Sequence, residues 1–258
     1  MPTITPIPAF SDNYIWLLND NAKHAVVVDP GDAAPVINRL TEAGLELVGI
    51  LVTHHHPDHV GGVNDLLAKW PGIPVWGSAN SRANCITVPL GDGDTIEVLG
   101  ETAIVATIPG HTLDHISFFI DGERPALFCG DTLFAGGCGR VFEGDAAMMR
   151  SSLDKLAVLP SATRVYCAHE YTLSNLRFAR AVEPDNDALA KREQDCIARR
   201  DVNEPTVPST LAEELETNPF LRCREDSVRA AAAAQGCANT GSADAVFAAI
   251  RGWKDNFR

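Results

Sequence analysis

The stretch that decides the fold and the chemistry is Val48-Gly49-Ile50-Leu51-Val52-Thr53-His54-His55-His56-Pro57-Asp58-His59. Its first five residues form an apolar run, which predicts a buried strand. Alternate side chains of an extended chain lie on the same side, so His54 and His56 should project together and His55 away from them. Asp58 and His59 follow on a turn, where they can face a second ion. The stretch therefore predicts a metal site at the end of a strand.

Three more potential ligands share one sequence pattern. In each case an apolar strand is followed by a small residue and then by the ligand. These are His111 after Ala103–Ile108, Asp131 after Ala126–Cys129, and His169 after Thr163–Cys167. Strands that end side by side would bring these groups to one edge of a sheet. Asp131 could bridge two ions through its two oxygens. Imidazole and carboxylate suit zinc, and they also suit iron or manganese.

Three nearby polar residues are not predicted to be ligands. His55 should face solvent or support a neighbouring group, and His115, four residues after His111, should brace the loop. Asp29 ends another predicted strand. It could orient a ligand histidine by hydrogen bonding, or it could simply form a turn. The sequence leaves both roles open.

Composition narrows the classes of function. The 258 residues carry a formal charge of −13, which argues against nucleic acid and anionic membranes as partners. No apolar run approaches the roughly 20 residues that a membrane span needs, and the start of the chain, Met1–Pro6, does not read as a signal peptide. Seven cysteines without a Cys-x-x-Cys pair suit reduced thiols, and so a cytoplasmic location. Cys129, Cys138 and Cys167 are interpreted as packing residues.

The chain changes character near residue 172. Before it, strands alternate with helices, which indicates an α/β core. The predicted strands there are Tyr14–Leu18, Ala25–Val28, Val48–Val52, Pro74–Trp76, Ala103–Ile108, Ile116–Ile120, Ala126–Cys129 and Thr163–Cys167, and the predicted helices are Pro35–Ala43 and Val60–Lys69. After it, only helices are predicted: Ser174–Val182, Ala188–Arg200, Leu211–Glu216, Ser227–Gln235 and Asp244–Trp253. The predicted domains are therefore a catalytic one over 1–172 and a helical one over 173–258.

The His-x-His-x-Asp-His run, with His111, Asp131 and His169 at their intervals, resembles the metallo-β-lactamase superfamily. Within it, the chain resembles the glyoxalase II (hydroxyacylglutathione hydrolase) family over essentially its whole length. The specific stretches are Phe10–Tyr14, Gly136–Gly144, His169–Thr172, Asn218–Arg222 and Arg251–Lys254. The resemblance implies an αββα sandwich with a C-terminal helical domain that binds substrate. It also implies hydrolysis of S-D-lactoylglutathione to D-lactate and glutathione, a step in methylglyoxal detoxification.

The same resemblance assigns roles to individual positions. It implies two divalent ions, most simply Zn²⁺, with iron or manganese also compatible. The first ion would be held by His54, His56 and His111, and the second by Asp58, His59 and His169, with Asp131 bridging. Glutathione would be bound by Arg140, Phe142, Tyr171, Arg251 and Lys254. Some relatives carry Lys and Tyr where this chain has Arg140 and Phe142, so one hydroxyl contact to the ligand is missing.

The expected chemistry suits these residues. Two ions lower the pKa of a shared water and stabilise the oxyanion of the thioester, and Asp58 is placed to orient the resulting hydroxide. A thiol with a pKa near 8.5 leaves without a strong acid. Arg140, Arg251 and Lys254 would supply local positive charge for the carboxylates of glutathione. Deletion of the residues after Gly241 is expected to raise KM and to leave the metals bound.

Other functions compete with this one. A lactonase or β-lactamase of the same superfamily is possible on the metal motif alone, and the C-terminal basic pair argues against it. A persulfide dioxygenase with one iron conflicts with the second ligand set, Asp58, His59 and His169. A structural metal module would be richer in cysteine. The chain is expected to act on a small molecule as a monomer.

Overall fold

Two sheets in the first half of the chain determine where the predicted ligands lie. The computed structural model describes residues 2–257. They divide into two compact units: the first runs up to Thr107 and includes Thr112–Gly130, and the second contains Ile108–His111 and everything from Asp131 onwards. No helix within 2–257 is long and apolar enough to cross a membrane.

The first sheet of the first unit has six strands in chain order. They are Thr3–Ala9 (β1), Asn13–Asn19 (β2), His24–Val28 (β3), Glu46–Leu51 (β4), Val75–Ser78 (β5) and Val88–Leu90 (β6). Strands β1 to β3 pair antiparallel, and β3 to β6 pair parallel. The helix Ala33–Ala43 (α1) joins β3 to β4, and the helices Pro57–Val60 (α2) and Val63–Lys69 (α3) join β4 to β5. The carboxyl ends of β3 and β4 therefore lie side by side, with Asp29 and the histidine run just beyond them.

Burial explains why α1 packs on this sheet. Val36 and Leu40 lie one turn apart on α1, and both are fully buried with Val27 and Ile50 of the sheet. The Asp32 side chain accepts a hydrogen bond from the Ala34 N–H and begins the helix. Gly44, in the left-handed conformation with φ 62°, ends it.

The second sheet contributes four antiparallel strands to the same unit. They are Thr95–Val98 (β7), Glu101–Thr107 (β8), Ile116–Ile120 (β9) and Ala126–Gly130 (β10), in the order β10-β9-β8-β7. All five residues of β9 and of β10 are buried. The Ile116 N–H at the start of β9 donates to the Thr53 carbonyl (N–O distance 2.9 Å), which ties the histidine run to this sheet.

The single helix predicted over Val60–Lys69 is wrong, because the structure has two helices there. Helix α2 ends at Val60 and α3 begins at Val63. At Gly62 the backbone lies so close to the start of α1 that a Cβ atom would be 2.4 Å from the Ala33 nitrogen. The break follows from this close approach between the turn after β3 and the turn after β4.

The second unit is mainly helical. Its strands are Leu133–Phe134 (β11), Gly137–Cys138 (β12), Arg164–Cys167 (β13) and Ser209–Thr210 (β14). Its helices are Ala146–Ala157 (α4), Thr172–Val182 (α5), Asp187–Asp201 (α6), Leu211–Thr217 (α7), Asp226–Ala234 (α8) and Ala243–Asn256 (α9). The fully buried side chains of Phe178, Phe220 and Phe247 pack against one another at its centre.

The five helices predicted after residue 172 are confirmed as α5 to α9. The Thr210 side chain caps α7 by accepting from the Glu213 N–H (3.2 Å), as its spacing predicted. Helix α4 and the strands β1, β6, β7, β11, β12 and β14 were not predicted, and β14 shows that the expectation of helices alone after residue 172 is wrong. Strand β1 contains Pro6 and Pro8, and proline argues against a strand because it is tolerated only at a sheet edge. The structure places β1 at the edge of its sheet, where both prolines fit. The boundary at residue 172 between a catalytic and a helical domain stays a prediction.

Candidate functional site

Four of the predicted ligands form one cluster in the first unit. The His54 Nε2 and His56 Nδ1 atoms are 3.1 Å apart, as the period-two argument predicted for side chains on one side of the chain. The rings of His54 and His59 are 4.0 Å apart between centroids. His59 Nε2 lies 3.5 Å from Asp58 Oδ2. Three imidazoles and a carboxylate therefore converge directly after β4.

Asp29 takes both of the roles that the sequence left open: its backbone forms a turn, with φ 54° and the Gly31 N–H donating to its carbonyl (2.9 Å), and its side chain faces one of these histidines. Its buried carboxylate lies 3.0 Å from His59 Nδ1 and accepts hydrogen bonds from the Thr53 N–H and hydroxyl, both at 2.7 Å. A carboxylate beside Nδ1 favours the tautomer with the proton on that nitrogen. Nε2 of His59 is then the nitrogen with a lone pair for a metal ion, and it is the nitrogen that faces Asp58.

Asn13 contacts one of the predicted ligands, and its role was not predicted from the sequence. Its buried amide donates to Asp58 Oδ2 (3.0 Å) from the start of β2. The only signal in the sequence was the stretch Phe10–Tyr14, which carried part of the family resemblance. The contact joins residues 45 positions apart, so periodicity and spacing could not reveal it.

The remaining three predicted ligands form a second cluster, in the second unit. Asp131 Oδ2 lies 3.4 Å from His111 Nε2 and 3.4 Å from His169 Nε2. His111 Nδ1 donates to the Arg140 carbonyl (2.8 Å). A carbonyl oxygen can only accept, so the proton is on Nδ1 and Nε2 keeps a lone pair that could bind a metal ion. All three side chains are buried.

A glycine makes this second cluster possible. At Gly139 a Cβ atom would lie 1.9 Å from the Asp131 carbonyl oxygen and 3.2 Å from His111 Nδ1. No other residue fits there without displacing one of these groups. The Gly136–Gly144 stretch therefore contributes backbone as well as side chains to the site.

His55 and His115 take supporting positions. His55 Nδ1 lies 2.8 Å from Asp114 Oδ1, and the edge of the His55 ring meets the His56 ring with centroids 5.2 Å apart. Burial raises the pKa of Asp114, but hydrogen bonds from Thr112 and His55 outweigh it and hold that pKa below its ordinary value. The buried His115 ring stacks on His54, with centroids 4.6 Å apart and planes at 15°. It therefore braces a predicted ligand directly, beyond the loop role expected of it.

Aromatic side chains flank the second cluster and are open to solvent. The Tyr171 ring stacks on His169, at 4.7 Å and 5° between planes. The Phe142 ring packs on His111 with centroids 5.2 Å apart. Phe142 is 63% exposed and Tyr171 is 38% exposed. These rings can therefore be contacted by a bound molecule.

The predicted basic residues differ in how much they are buried. Arg140 is exposed, whereas Arg251 is buried: its Nη1 donates to the Cys138 carbonyl (3.0 Å) and its Nη2 to Asp255 Oδ1 (2.9 Å). Lys254 is half-buried, and its Nζ donates to the Ser174 carbonyl (3.0 Å).

Lys254 has an unusual electrostatic environment. Burial is the main cause that lowers its pKa to about 8, and the neighbouring cations Arg251, Arg177 and Arg140 lower it further. Arg177 is exposed on α5, one turn from Ser174, and the sequence reasoning did not find it. The second unit therefore presents a local group of cations in a chain whose formal charge is −13.

Family models match nearly all of the chain. Residues 10–169 match the model of the metallo-β-lactamase superfamily, and residues 170–257 match the model described as the hydroxyacylglutathione hydrolase C-terminus. A hydroxyacylglutathione hydrolase of Hahella chejuensis (strain KCTC 2396) is 54% identical over 258 residues, which covers 100% of both chains.

Solved structures show the same fold. A B3 metallo-β-lactamase, BLEG-1, has a TM-score of 0.64 at 24% identity, covering 86% of this chain and 99% of that one. A protein solved in a di-iron-bound form, TTHA1623, has a TM-score of 0.53 at 27% identity, covering 64% of this chain and 91% of its own. The expected αββα sandwich with a C-terminal helical region is confirmed.

Proposed function

This chain belongs to the hydroxyacylglutathione hydrolase family of the metallo-β-lactamase superfamily, and from that membership we propose that it hydrolyses S-D-lactoylglutathione to D-lactate and glutathione. The observation that carries the proposal is the 54% identity to a hydroxyacylglutathione hydrolase along the full length of both chains. The enzyme class is a thioester hydrolase. Its place in the cell would be the detoxification of methylglyoxal.

The proposed cofactor is a pair of divalent metal ions. The donor set fits, because imidazoles and carboxylates are the ligands that zinc, iron and manganese share. TTHA1623, which has a similar fold, was solved in a di-iron-bound form. We assign His54, His56 and His111 to the first ion and Asp58, His59 and His169 to the second, with Asp131 shared. Zn²⁺ is the simplest choice. When bound, such ions acidify water and polarise a carbonyl.

The protein's own residues prepare these ligands. Asp29 directs His59 Nε2, and the Arg140 carbonyl directs His111 Nε2. Asn13 donates to Asp58 Oδ2, which turns that carboxylate so that its other oxygen can accept a proton from the attacking water. Asp58 and Asp131 are thus the proposed catalytic carboxylates. Their tasks are to orient the water and to hold the pair of ions.

The cationic group of the second unit would bind the glutathione part. Glutathione carries two carboxylates, and a protein with a formal charge of −13 can attract it only through local cations. Arg140 and Lys254 are accessible for this contact, and Arg251 adds charge while it holds the Cys138 carbonyl. Tyr171 and Phe142 would contact the chain of the peptide. Phe142 offers only its ring, since it has no hydroxyl.

The leaving group needs no dedicated acid. A glutathione thiol has an ordinary pKa near 8.5, so the thiolate is an adequate leaving group at neutral pH. The polar groups described for the site are proposed metal ligands, the partners of those ligands and cations, and none of them is assigned the role of a general acid. Residues 1–172 would carry out the chemistry and supply Arg140, Phe142 and Tyr171 to the glutathione site, and residues 173–258 would add Arg251 and Lys254.

Two further expectations remain predictions. None of the seven cysteines, all of which lie within 2–257, forms a disulfide, and this suits a reducing compartment such as the cytoplasm. The chain is expected to act as a monomer on a small molecule. Gel filtration of the metal-loaded protein at micromolar concentration would test the oligomeric state.

The decisive experiment is turnover of S-D-lactoylglutathione by metal-loaded protein. We expect D-lactate and glutathione in equal amounts, with a kcat/KM far above that for a lactone, a β-lactam or a glutathione persulfide. Asp58→Asn should lose about 100-fold or more in kcat, whereas Asp32→Asn, which keeps the cap of α1, should match the wild type. Absence of turnover in protein with two metals per chain would contradict the proposal.

A further inference from the structure

The segment Phe134–Cys138 connects two parts of the proposed site. Asp131, a proposed ligand, lies three residues before it, and Arg140, a proposed glutathione contact, lies two residues after it. We call Phe134–Cys138, which is the turn between β11 and β12 together with the strand residues that flank it, the connecting loop. The two strands pair with each other, and the Gly139 N–H donates to the Thr132 carbonyl (3.2 Å), so the loop is joined at its base next to Asp131 and Arg140.

Every residue of the connecting loop has one backbone group bonded to a side chain from later in the chain. Asn218 Nδ2 donates to the carbonyls of Phe134 (3.2 Å) and Gly137 (2.9 Å). Asn175 Nδ2 donates to the Ala135 carbonyl (3.1 Å).

The other two loop residues are held by charged groups. The Gly136 N–H donates to Glu214 Oε2 (2.8 Å), and Arg251 Nη1 donates to the Cys138 carbonyl (3.0 Å). The loop is therefore held by four side chains from α5, α7, α9 and the residue after α7.

These four side chains have further partners of their own. Glu214 is fully buried and pairs with the buried Arg192. Asn218 also donates to Glu214 Oε2 (3.0 Å) and accepts from the Phe220 N–H (3.1 Å). Arg251 is held by Asp255. Buried networks with several bonds to each side chain favour one arrangement, because each broken bond leaves a buried polar group without a partner.

The loop also has no room to move toward α5. At Gly137 a Cβ atom would lie 2.6 Å from the Asn175 amide, so the backbone of Gly137 lies directly against that side chain and leaves no space for a larger residue. Gly136 has φ +66°, a conformation that glycine adopts without strain. Contact and conformation together keep the loop in one position.

We propose that Asn175, Glu214, Asn218 and Arg251 form a clamp that holds the connecting loop against the helices of the second unit and so, together with the pairing of β11 with β12, fixes the backbone positions from which Asp131 and Arg140 reach the proposed site. These are positioning residues. The inference rests on the proposed function for its catalytic consequence, but the clamp itself is a property of the second unit. It also gives a role to the Asn218–Arg222 stretch, which the reaction does not otherwise use.

The test replaces clamp amides with carboxylates of the same shape. Asn218→Asp and Asn175→Asp each remove the donor and turn an oxygen toward a backbone carbonyl. The two changes come from different parts of the helical region, so a shared effect points to the loop. Asn186→Asp is the matched control: Asn186 donates to the Glu216 carbonyl, away from the loop, and aspartate caps α6 equally well.

The first measurement is independent of activity. Cys138 lies in the loop and is 5% exposed, whereas Cys85 and Cys237 are the half-buried cysteines. Labelling with a thiol reagent, mapped by peptide mass spectrometry, should become about 10- to 100-fold faster at Cys138 in both clamp variants. Labelling at Cys85 should not change. The control variant should behave like the wild type.

The second measurement separates positioning from general stability. In the clamp variants kcat/KM for S-D-lactoylglutathione should fall about 10- to 100-fold, with a raised KM, because a displacement of about 1 Å costs about 100-fold. A variant that is only less stable would contain less active protein at an unchanged KM. Circular dichroism melting identifies any variant that fails to fold, in which case the other variant decides.

The outcomes are distinct. Folded clamp variants with wild-type labelling at Cys138 and wild-type KM would overturn the clamp. If the wild type itself hydrolyses no glutathione thioester, the proposed function fails, and the labelling of Cys138 still decides whether the clamp exists.

Discussion

Single residues outside the ligand set control the chemistry of the ligands. Asp29 and the Arg140 carbonyl each face the Nδ1 atom of a histidine and so select its tautomer. Asn13 fixes the orientation of Asp58 in a similar way. The surroundings of Lys254 change its protonation, because burial and neighbouring cations lower its pKa to about 8.

Asp29→Asn should weaken metal binding without unfolding the first unit. The asparagine amide would face His59 Nδ1 as a donor and move the proton to Nε2, the ligand atom. We expect metal affinity to fall about 10- to 100-fold, measured by competition with a coloured chelator. Asp32→Asn, a change of the same kind that keeps the cap of α1, is the control. Equal metal retention in both variants would refute the orienting role.

Glutathione binding should weaken as the pH rises through about 8. Lys254 is protonated below that pH and neutral above it, because its pKa is lowered to about 8; only the protonated form attracts a carboxylate. Calorimetry with S-methylglutathione should show a dissociation constant about 10-fold higher at pH of about 9.5 than at pH of about 7. Lys254→Met should remove most of this dependence. The same pH dependence in the variant would assign it to another group.

At the scale of elements, α9 has two functions on one face, because Arg251 lies one turn after Phe247 and Lys254 one turn after Ile250. It carries Arg251 and Lys254, and it buries Val246, Phe247 and Ile250 in the core of the second unit. Deletion of the residues after Gly241 would therefore remove core as well as cations. Such a truncation should therefore lower the stability of the protein as well as raise KM. Point substitutions test the role of the cations without removing the core residues.

Two phenylalanine substitutions should separate these functions. Phe247→Ala, in α9, should lower the free energy of unfolding by about 3–5 kcal/mol because it opens a cavity in the core. Phe142→Ala should leave that free energy nearly unchanged, since Phe142 is 63% exposed, and should raise KM instead. Urea unfolding and steady-state kinetics measure both. Equal effects of the two changes on stability would contradict the assignment.

At the scale of the whole molecule, the proposed metal ions should contribute to stability. The 258 residues carry a formal charge of −13, and both compact units contribute carboxylate and imidazole groups to the proposed ligand set. Divalent cations that bind the native state and not the unfolded state stabilise the fold by mass action. Stability should therefore depend on the ions as well as activity.

Removal of the metals should lower the stability of the protein. At a free metal concentration of about 100 times Kd, the stabilisation is about 2.7 kcal/mol, which should appear as a lower urea midpoint after treatment with a chelator. Zn²⁺ should restore both the midpoint and the hydrolysis. Mg²⁺, which prefers oxygen ligands, should restore neither. An unchanged midpoint in verified metal-free protein would show that no structural coupling exists.

Much of the site follows from local sequence. Period-two geometry predicted that His54 and His56 face one way and His55 another, and the structure agrees because an extended chain has that geometry regardless of its surroundings. The helices after residue 172 were equally predictable, since their apolar spacing and caps are local. Strand β1 was not, because its two prolines are tolerated only at the sheet edge that the fold gives it.

The sequence by itself determined which residues could bind metal, where the helices after residue 172 lie, and, through resemblance, which family the chain belongs to. Tertiary structure alone decided what each of these residues contacts. Asp29 reaches Thr53 across 24 positions, Asn13 reaches Asp58 across 45, and Arg251 reaches Cys138 across 113. Contacts at such separations leave no periodic signal, because they depend on which strands and helices become neighbours when the chain folds.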